Sequence, residues 1–448
     1  MLSLDECRDA AERLVSRAIK AGADAADVLY MGGRSTEVQV RLGELDHVGR
    51  SEGEEIGLRL FLGARSASVA SSDLSEEALG ELVRRAVAMA GEAPEDPFAG
   101  LAPPGLLASS PFADLDTVDP AEPDPAQLRE RALECEAAAL AVPGVTNSSG
   151  AGASTSASVI ALATSGGFSG SFSGTGHGCS ASVVAGEGAS MQRDSWWQSA
   201  RHLSDLDSAE SIGREAGRRA VARLDPVRPK AGRMPVLFDP RVSGSLLGHF
   251  AGAISGSSVA RKSSFLQDKL GRKIFREGVT IVDDPLRPRG LRSRPFDGEG
   301  VAVARTEIVS GGVLDGWMAD SASARQLGIQ PTGHAARSVG SAPGVSPTNF
   351  YMEAGSRSRE ELLAAFPEAL LVIELIGQGA NPVTGDYSRG AVGFLVKDGE
   401  IGPAVQEITI ASNLLDMFAS LEPASDLEFR RGIDAPTILI PEMTVGTA

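Results

Sequence analysis

The stretch from Ser148 to Ser190, SSGAGASTSASVIALATSGGFSGSFSGTGHGCSASVVAGEGAS, decides the fold. It is built almost wholly from Gly, Ala, Ser and Thr, a composition that alone would indicate a flexible linker. Apolar residues nevertheless recur at every second position, as at Phe168–Phe172 and Ala181–Val183, and Trp196-Trp197 closes the run. A period of two puts such residues on one face of a strand. The spacing predicts a meander of small-residue strands, and so an ordered sheet in the middle of the chain.

Helical patterns flank this meander, one from about Ala126 to Ala141 and one near Ser208–Leu224. Upstream, Pro94 to Pro125 holds eight prolines and little periodicity, as a linker or an extended crossing segment does. The N-terminal region opens on Ser3-Leu4-Asp5-Glu6, a capping box. Cys7, Ala11, Leu14 and Ala18 then follow at helical spacing, and Gly22 is a stop signal. Strands come next, with Val38 and Val40 and then Ile56, Leu58, Leu60 and Leu62 alternating. A second helix starts at Ser75, with Leu79, Leu82, Val83, Ala86 and Ala90 on its buried face.

Downstream, a Pro-rich, basic boundary runs from Asp225 to Pro235, followed by a short strand, Val236-Leu237-Phe238. Asp239-Pro240 is an N-cap with proline at the first helical position. The helix that follows should turn Val242, Leu246, Phe250 and Ala253 inward and stop at Gly256. Strand signals then dominate, at Val301–Val309, Leu370–Ile376, Ala391–Lys397 and Ala404–Ile410, with Asp398-Gly399 as a tight hairpin. The fold class expected is α+β, in three parts. An N-terminal α+β domain with an antiparallel sheet spans 1–93, the crossing segment, helix and small-residue sheet span 94–225, and a large β-rich C-terminal domain spans 226–448.

The 448 residues suffice for two or three cores. A formal charge of −17 and only six lysines argue against direct nucleic-acid binding, which needs clustered cations. Cys7, Cys135 and Cys179 are widely spaced and read as buried thiols of a reducing cytosol. No signal pattern opens the chain, and the apolar run near Ala369–Ile376 is too short for a bilayer. A cytoplasmic protein without a membrane role is expected.

Chemistry-bearing motifs are sparse. A zinc-peptidase helix needs two histidines on one face and a glutamate beside the first. In His249-Phe250-Ala251-Gly252-Ala253-Ile254 only the first ligand is present. The glutamate position is Phe250, and neither Ala253 nor Ile254 can bind a metal. A member of a peptidase system with this helix would not cut. No two of His47, His177, His202, His249 and His334 lie closer than 25 residues, so no local two-histidine site exists. His177-Gly178-Cys179 reads as a polar strand position. The acidic run Asp283, Asp284, Asp297 and Glu299 could attract a hard cation but reads as turn chemistry. Asp386-Tyr387-Ser388-Arg389-Gly390 is a near miss of a serine-hydrolase elbow. Gly377-Gln378-Gly379-Ala380-Asn381-Pro382 and Thr384 to Gly390 together read as a long polar loop between two apolar strands. Peptide binding by Gly377, Gln378, Gly379, Asp386, Tyr387, Ser388 and Arg389 and a plain cluster of structural turns are equal readings of that loop.

These same segments carry a family likeness. Ser245 to Gly256, Arg261-Lys262-Ser263-Ser264-Phe265-Leu266, Pro295-Phe296-Asp297-Gly298-Glu299-Gly300, Pro331-Thr332-Gly333-His334-Ala335, Glu374 to Gly379, Thr384 to Gly390 and Glu407 to Leu414 resemble TldE (PmbA)-type subunits of the TldD/TldE metalloprotease family, peptidase U62. Members are also described as modulators of DNA gyrase. The resemblance implies a heterodimer with a TldD-like catalytic subunit that holds the zinc and processes unfolded or extended peptides. It places the family's first histidine on His249, its glutamate on Phe250, its second histidine on Ile254 and its late cysteine near Ile433. This chain then has no catalytic residue, no metal ligand set and no cofactor of its own, and can pair with itself when alone. Two other classes stand beside that expectation: a stand-alone peptide-binding or gyrase-modulating protein, and an autonomous serine-type hydrolase using Ser388.

Overall fold

In the computed structural model, residues 2–447 are described. Helix α1 (Leu4–Lys20) begins with the expected box: the Ser3 hydroxyl accepts from the Glu6 N–H, and the Ser3 N–H donates to Glu6 Oε2 at 2.9 Å. Three strands follow, β1 (Ala25–Arg41), β2 (Glu44–Leu62) and β3 (Arg65–Ser71), then α2 (Glu76–Glu92). After the crossing segment come α3 (Pro125–Leu140), β4 (Val145–Thr164), β5 (Ser169–Ala185), β6 (Gln192–Ala200) and α4 (Ala209–Ala222). The small-residue stretch is thus strand, and it forms long ones.

All six strands form one antiparallel sheet in the order β3-β2-β1-β4-β5-β6. The N-terminal and middle regions are therefore joined through β1 and β4, which pair from Asp27 opposite Thr164 to Val40 opposite Ala151. Two cores lie on this sheet. One packs α1 and α2 over Val28, Tyr30, Ile56, Leu58 and Leu60. The other packs α3 and α4 over Val38, Ala151, Ala153, Cys179, Ala181 and Val183. The three cysteines are free and buried.

The second core explains the small residues. A Cβ on Gly213 of α4 would lie 1.9 Å from the Cys135 carbonyl oxygen of α3, and one on Gly217 would lie 2.8 Å from the Ala139 oxygen. The two helices approach backbone to backbone, so only small side chains fit between and beneath them.

The C-terminal region is built around a second sheet: β7 (Gly232–Phe238), β8 (Glu368–Ile376), β9 (Asp386–Lys397), β10 (Glu400–Asn413) and β11 (Ile438–Thr447). Its order is β10-β9-β8-β7-β11, and β10 also pairs with β11, so the sheet closes on itself. Only β7 and β8 run parallel; the other pairs are antiparallel. The β9–β10 hairpin turns at Asp398-Gly399, both at positive φ (49° and 85°), as the dipeptide predicts. Helix α5 (Pro240–Ala253) leaves β7 directly, with Asp239 as N-cap and Pro240 at its first position. It packs Leu246, Leu247, Phe250, Ala251 and Ala253 into the largest core, while Val242 is only partly buried.

Two expectations need correction. The strand predicted over Val301–Val309 is confined to Thr306–Ser310, because Val301 and Ala302 instead make isolated bridges to Leu107 and Phe296. The polar segment read as one loop through Gly390 ends at Gly385, and Asp386–Arg389 belong to β9. No described helix is long and apolar enough to cross a membrane.

The helix contact makes a stability prediction. Gly213→Ala should lower the denaturation midpoint, with a cost of roughly 1–3 kcal/mol from overpacking. Gly248→Ala, where nothing lies within 4 Å of the added methyl, should be neutral or stabilise by up to about 1 kcal/mol through helix propensity. Urea or guanidinium unfolding curves of the two variants test this; equal midpoints would contradict the close α3–α4 packing.

Candidate functional site

Helix α5 holds the residues singled out in the sequence. Phe250 and Ile254 are fully buried. The Phe250 ring lies 5.1 Å from Phe275, 5.9 Å from Phe418 and 6.2 Å from Phe350, centroid to centroid. Ile254 closes the helix, its N–H donating to the Phe250 carbonyl at 3.0 Å. His249 sits half-buried on the adjacent face. Burial and the nearby Arg389 charge both lower its pKa, so its imidazole is neutral at pH 7. Ile433 comes close to the same helix: a Cβ on Gly244 would be 2.9 Å from its carbonyl oxygen.

The Gly377–Gly390 segment comes to this helix as well. Its outer part, Gly377 to Gly385, folds back on β9. Ser388 N–H donates to the Gly379 carbonyl at 2.7 Å, and Asn381 N–H to that of Asp386 at 2.8 Å. Gly379 has to be glycine, since a Cβ there would fall 1.6 Å from the Ser388 oxygen. Gly377, Gln378 and Asp386 are exposed. Tyr387 is not: it is 1% exposed, and its ring meets the His249 ring edge-on at 5.9 Å and 80°. Burial pushes its phenol up to about 12, with the Arg389 charge pulling the other way. A strand alternates faces, so Arg389 shares the Tyr387 side while Asp386 and Ser388 point away. Ser388 is exposed on the face of β9 opposite His249, so no nucleophile–base pair forms there.

The remaining candidates have structural partners. Asp284 caps a turn by accepting from Leu286 N–H at 3.1 Å, and Asp297 accepts from Glu299 and Val301 at 2.9 and 2.8 Å. Asp283 instead accepts from the Thr348 N–H and hydroxyl, both at 2.6 Å, with His334 at 3.4 Å. Glu299 reaches Arg59 at 3.5 Å and accepts from Ser321 N–H at 2.8 Å. His177 and His202 do meet, around one carboxylate: Asp119 is 3.1 Å from His177 Nε2 and 3.9 Å from His202 Nδ1. They fasten the crossing segment to β5. His47 lies in a surface pair with Glu37. Among the described residues, no group of three or more His, Cys, Asp or Glu is arranged to hold a metal.

Residues 26–90, 118–224 and 231–447 match the models of domain 1, the central domain and the C-terminal domain of PmbA/TldA metallopeptidases. The chain is 37% identical to Metalloprotease PmbA of Escherichia coli O157:H7, over 97% of this chain and 95% of that protein.

The chain belongs to the PmbA/TldD metallopeptidase family.

Its fold matches a crystal structure from Bacteroides thetaiotaomicron, described as a putative modulator of DNA gyrase, with a TM-score of 0.92, 26% identity and full coverage of both chains. TldE from Thermococcus kodakarensis shares the fold, with a TM-score of 0.87 and 23% identity over 97% of this chain and 99% of that one.

The residues of this PmbA/TldD member do not fit a zinc ion. Zinc takes imidazole, thiolate or carboxylate ligands, usually four in a tetrahedron. Helix α5 supplies His249 alone; Phe250, Ile254 and Ile433 supply no ligand atom, and the Arg389 cation stands beside His249. Sequence reasoning singled out His249 and Arg389 but did not join them, and it missed Ser245. Ser245 lies four residues before His249, the spacing that puts two side chains on one helix face, so that signal was available.

Elemental analysis of the purified chain after extensive dialysis should find zinc far below one per chain, unchanged by His249→Ala. About one zinc per chain, retained through dialysis and lost on that substitution, would reveal a long-range site.

Proposed function

We propose that this chain is the non-catalytic subunit of a heterodimeric, cytoplasmic TldD/TldE-type zinc metalloprotease that degrades or processes unfolded peptides. The zinc, the activated water and the general base belong to a TldD-like partner. The observation that carries this reading is the fate of α5. The positions where a zinc-peptidase helix presents its glutamate and second histidine hold Phe250 and Ile254, both in a packed aromatic and aliphatic core. A general base must reach water or substrate, and nothing at those positions can.

The surface around Gly377–Gly385 supports a role in assembly or in walling the peptide cleft. Ile376 and Val383 at its edges are 54% and 55% exposed. Large apolar side chains flanking a glycine-rich, backbone-exposing loop suit contact with another chain. Tyr387, being buried, would act from beneath that surface rather than on it.

Peptidase activity against unfolded peptides should appear when this chain is mixed with a TldD-like partner, be absent from this chain alone, and vanish on chelation. Ile376→Asp with Val383→Asp should reduce co-elution with the partner at least several-fold while leaving the thermal midpoint within a degree or two, as exposed sites do. Hydrolysis by this chain alone at the rate of the mixture, persisting in chelator, would overturn the assignment.

A further inference from the structure

The α5–β9 contact holds a set of donors that the non-catalytic reading leaves without a task. Ser245 Oγ, His249 Nε2, Tyr387 Oη and Arg389 Nε are all buried, and none meets hydrogen-bond geometry with a partner within the protein, although the Arg389 guanidinium lies near enough to the Tyr387 phenol to act on it. Buried polar groups are paired as a rule, and each exception asks for an explanation. These four are not scattered. Ser245 and His249 share one face of α5, a single turn apart. The His249 and Tyr387 rings are in edge contact at 5.9 Å. Arg389 follows Tyr387 by two residues on the same side of β9, and its charge acts on both rings.

We propose that this set is a receptor for a carboxylate carried by an extended peptide. Every member can donate: two hydroxyls, a guanidinium and, in its Nε2–H tautomer, a neutral imidazole. The only formal charge in the set is Arg389, which makes no ion pair among the described residues. Other internal arginines are matched by acids, as Arg59 is by Asp27 and Glu299 and Arg223 by Asp194 and Glu374, or by backbone carbonyls, as Arg201 is by Thr175 and Leu291 and Arg294 by Ala335; Arg389 has neither kind of partner among the described residues. In a chain of net charge −17, a half-buried arginine left with neither an acid nor a carbonyl to bond marks a place for an anion from outside. One cation with neutral donors suits a monoanion of carboxylate geometry, whereas a phosphate dianion calls for more positive charge. The four donor atoms lie beneath the surface, but His249 and Arg389 are half-buried as residues, and the Arg389 side chain passes against Gly379, next to the exposed Gly377 and Gln378. A peptide could lie along that backbone with its carboxylate turned inward.

The inference rests on the proposed function only in taking peptide as the bearer of the carboxylate, and it is testable on this chain alone. Three acetylated, unstructured peptides serve as probes by calorimetry: one with a free C-terminus and no acidic side chain, the same peptide amidated, and an amidated version with a central glutamate. The first or the third should bind, the second should not, and the one that binds identifies the source as a C-terminus or a side chain. Arg389→Met should weaken binding at least tenfold, and Tyr387→Phe several-fold. The His249 ring signals in NMR should move on titration. Ser245→Ala removes one hydroxyl only, and should weaken binding measurably even if Arg389→Met fails to fold. If no carboxylate peptide binds, or if all three bind alike and survive these substitutions, the receptor does not exist. That failure is separable from failure of the functional reading, which would appear as hydrolysis by the isolated chain.

Discussion

A buried group of four charges holds the two sheets in one arrangement. Asp27 of β1 accepts from Arg59 Nε of β2 at 2.9 Å and is paired on its other oxygen with Arg337 of the C-terminal region. Arg59 also reaches Glu299 at 3.5 Å. Burial pushes the Asp27 carboxyl up, but the two arginines outweigh it and hold the pKa below the usual value. Burial raises Glu299, partly opposed by Arg59. Removing Asp27 would strand Arg337, and removing Arg59 would strand Glu299, away from water, a loss of roughly 3–5 kcal/mol in either case. The network thus contributes less as net attraction than as a demand for one geometry, since any sliding of one body on the other leaves charges unpaired.

The packing around it obeys the same demand. A Cβ on Gly57 of β2 would sit 1.7 Å from the Val339 oxygen, so the turn that follows Arg337 lies directly on the sheet. Phe168, Phe296, Leu29 and Leu162 form a small apolar cluster next to it. Phe168 and Phe296 meet at 4.8 Å in an edge-to-face contact. Gly300, at φ 82°, lies against Phe168 where a Cβ would come within 2.5 Å of the ring. This explains the acidic run near Asp297. It shapes a turn that carries Glu299 across to Arg59, so its carboxylates are spent on backbone N–H groups and one arginine, with none left for a cation.

Local signals were legible wherever a single element carries its own evidence. Capping residues located α1, α2 and α5, and a period of two exposed β4 and β5 despite their linker-like composition. Pairing between distant strands was not legible. Nothing near Ala25 states that β1 will lie beside β4, more than a hundred residues on, because partner choice follows from closing the sheet and burying both faces. That is why the sheet runs through a boundary drawn from proline content. The Gly377–Gly390 segment shows the other limit. Glycine and polar residues read as loop, yet Tyr387 is buried by α5 and Gly379 is demanded by a backbone approach, both of which are tertiary facts. His249 was read as a lone ligand because its neighbours arrive from β9.

Helix α5 shows how a family position can be retained by the fold while its chemistry is replaced. Phe250 fills a cluster with Phe275, Phe350 and Phe418, and Ile254 fills the core at the helix end. A carboxylate at position 250 would enter an apolar pocket with no cation beside it, and would stay protonated and destabilising there rather than act as a base. A histidine at 254 would have to displace packed aliphatic neighbours. Two substitutions would therefore not restore a metal site; the aromatic cluster beneath the helix would have to be reopened as well. The same packing leaves the His249 face free of that duty, and this is the side on which Ser245, Tyr387 and Arg389 gather. The physical division of the helix is between an inner face committed to stability and an outer face whose donors remain uncommitted within the chain.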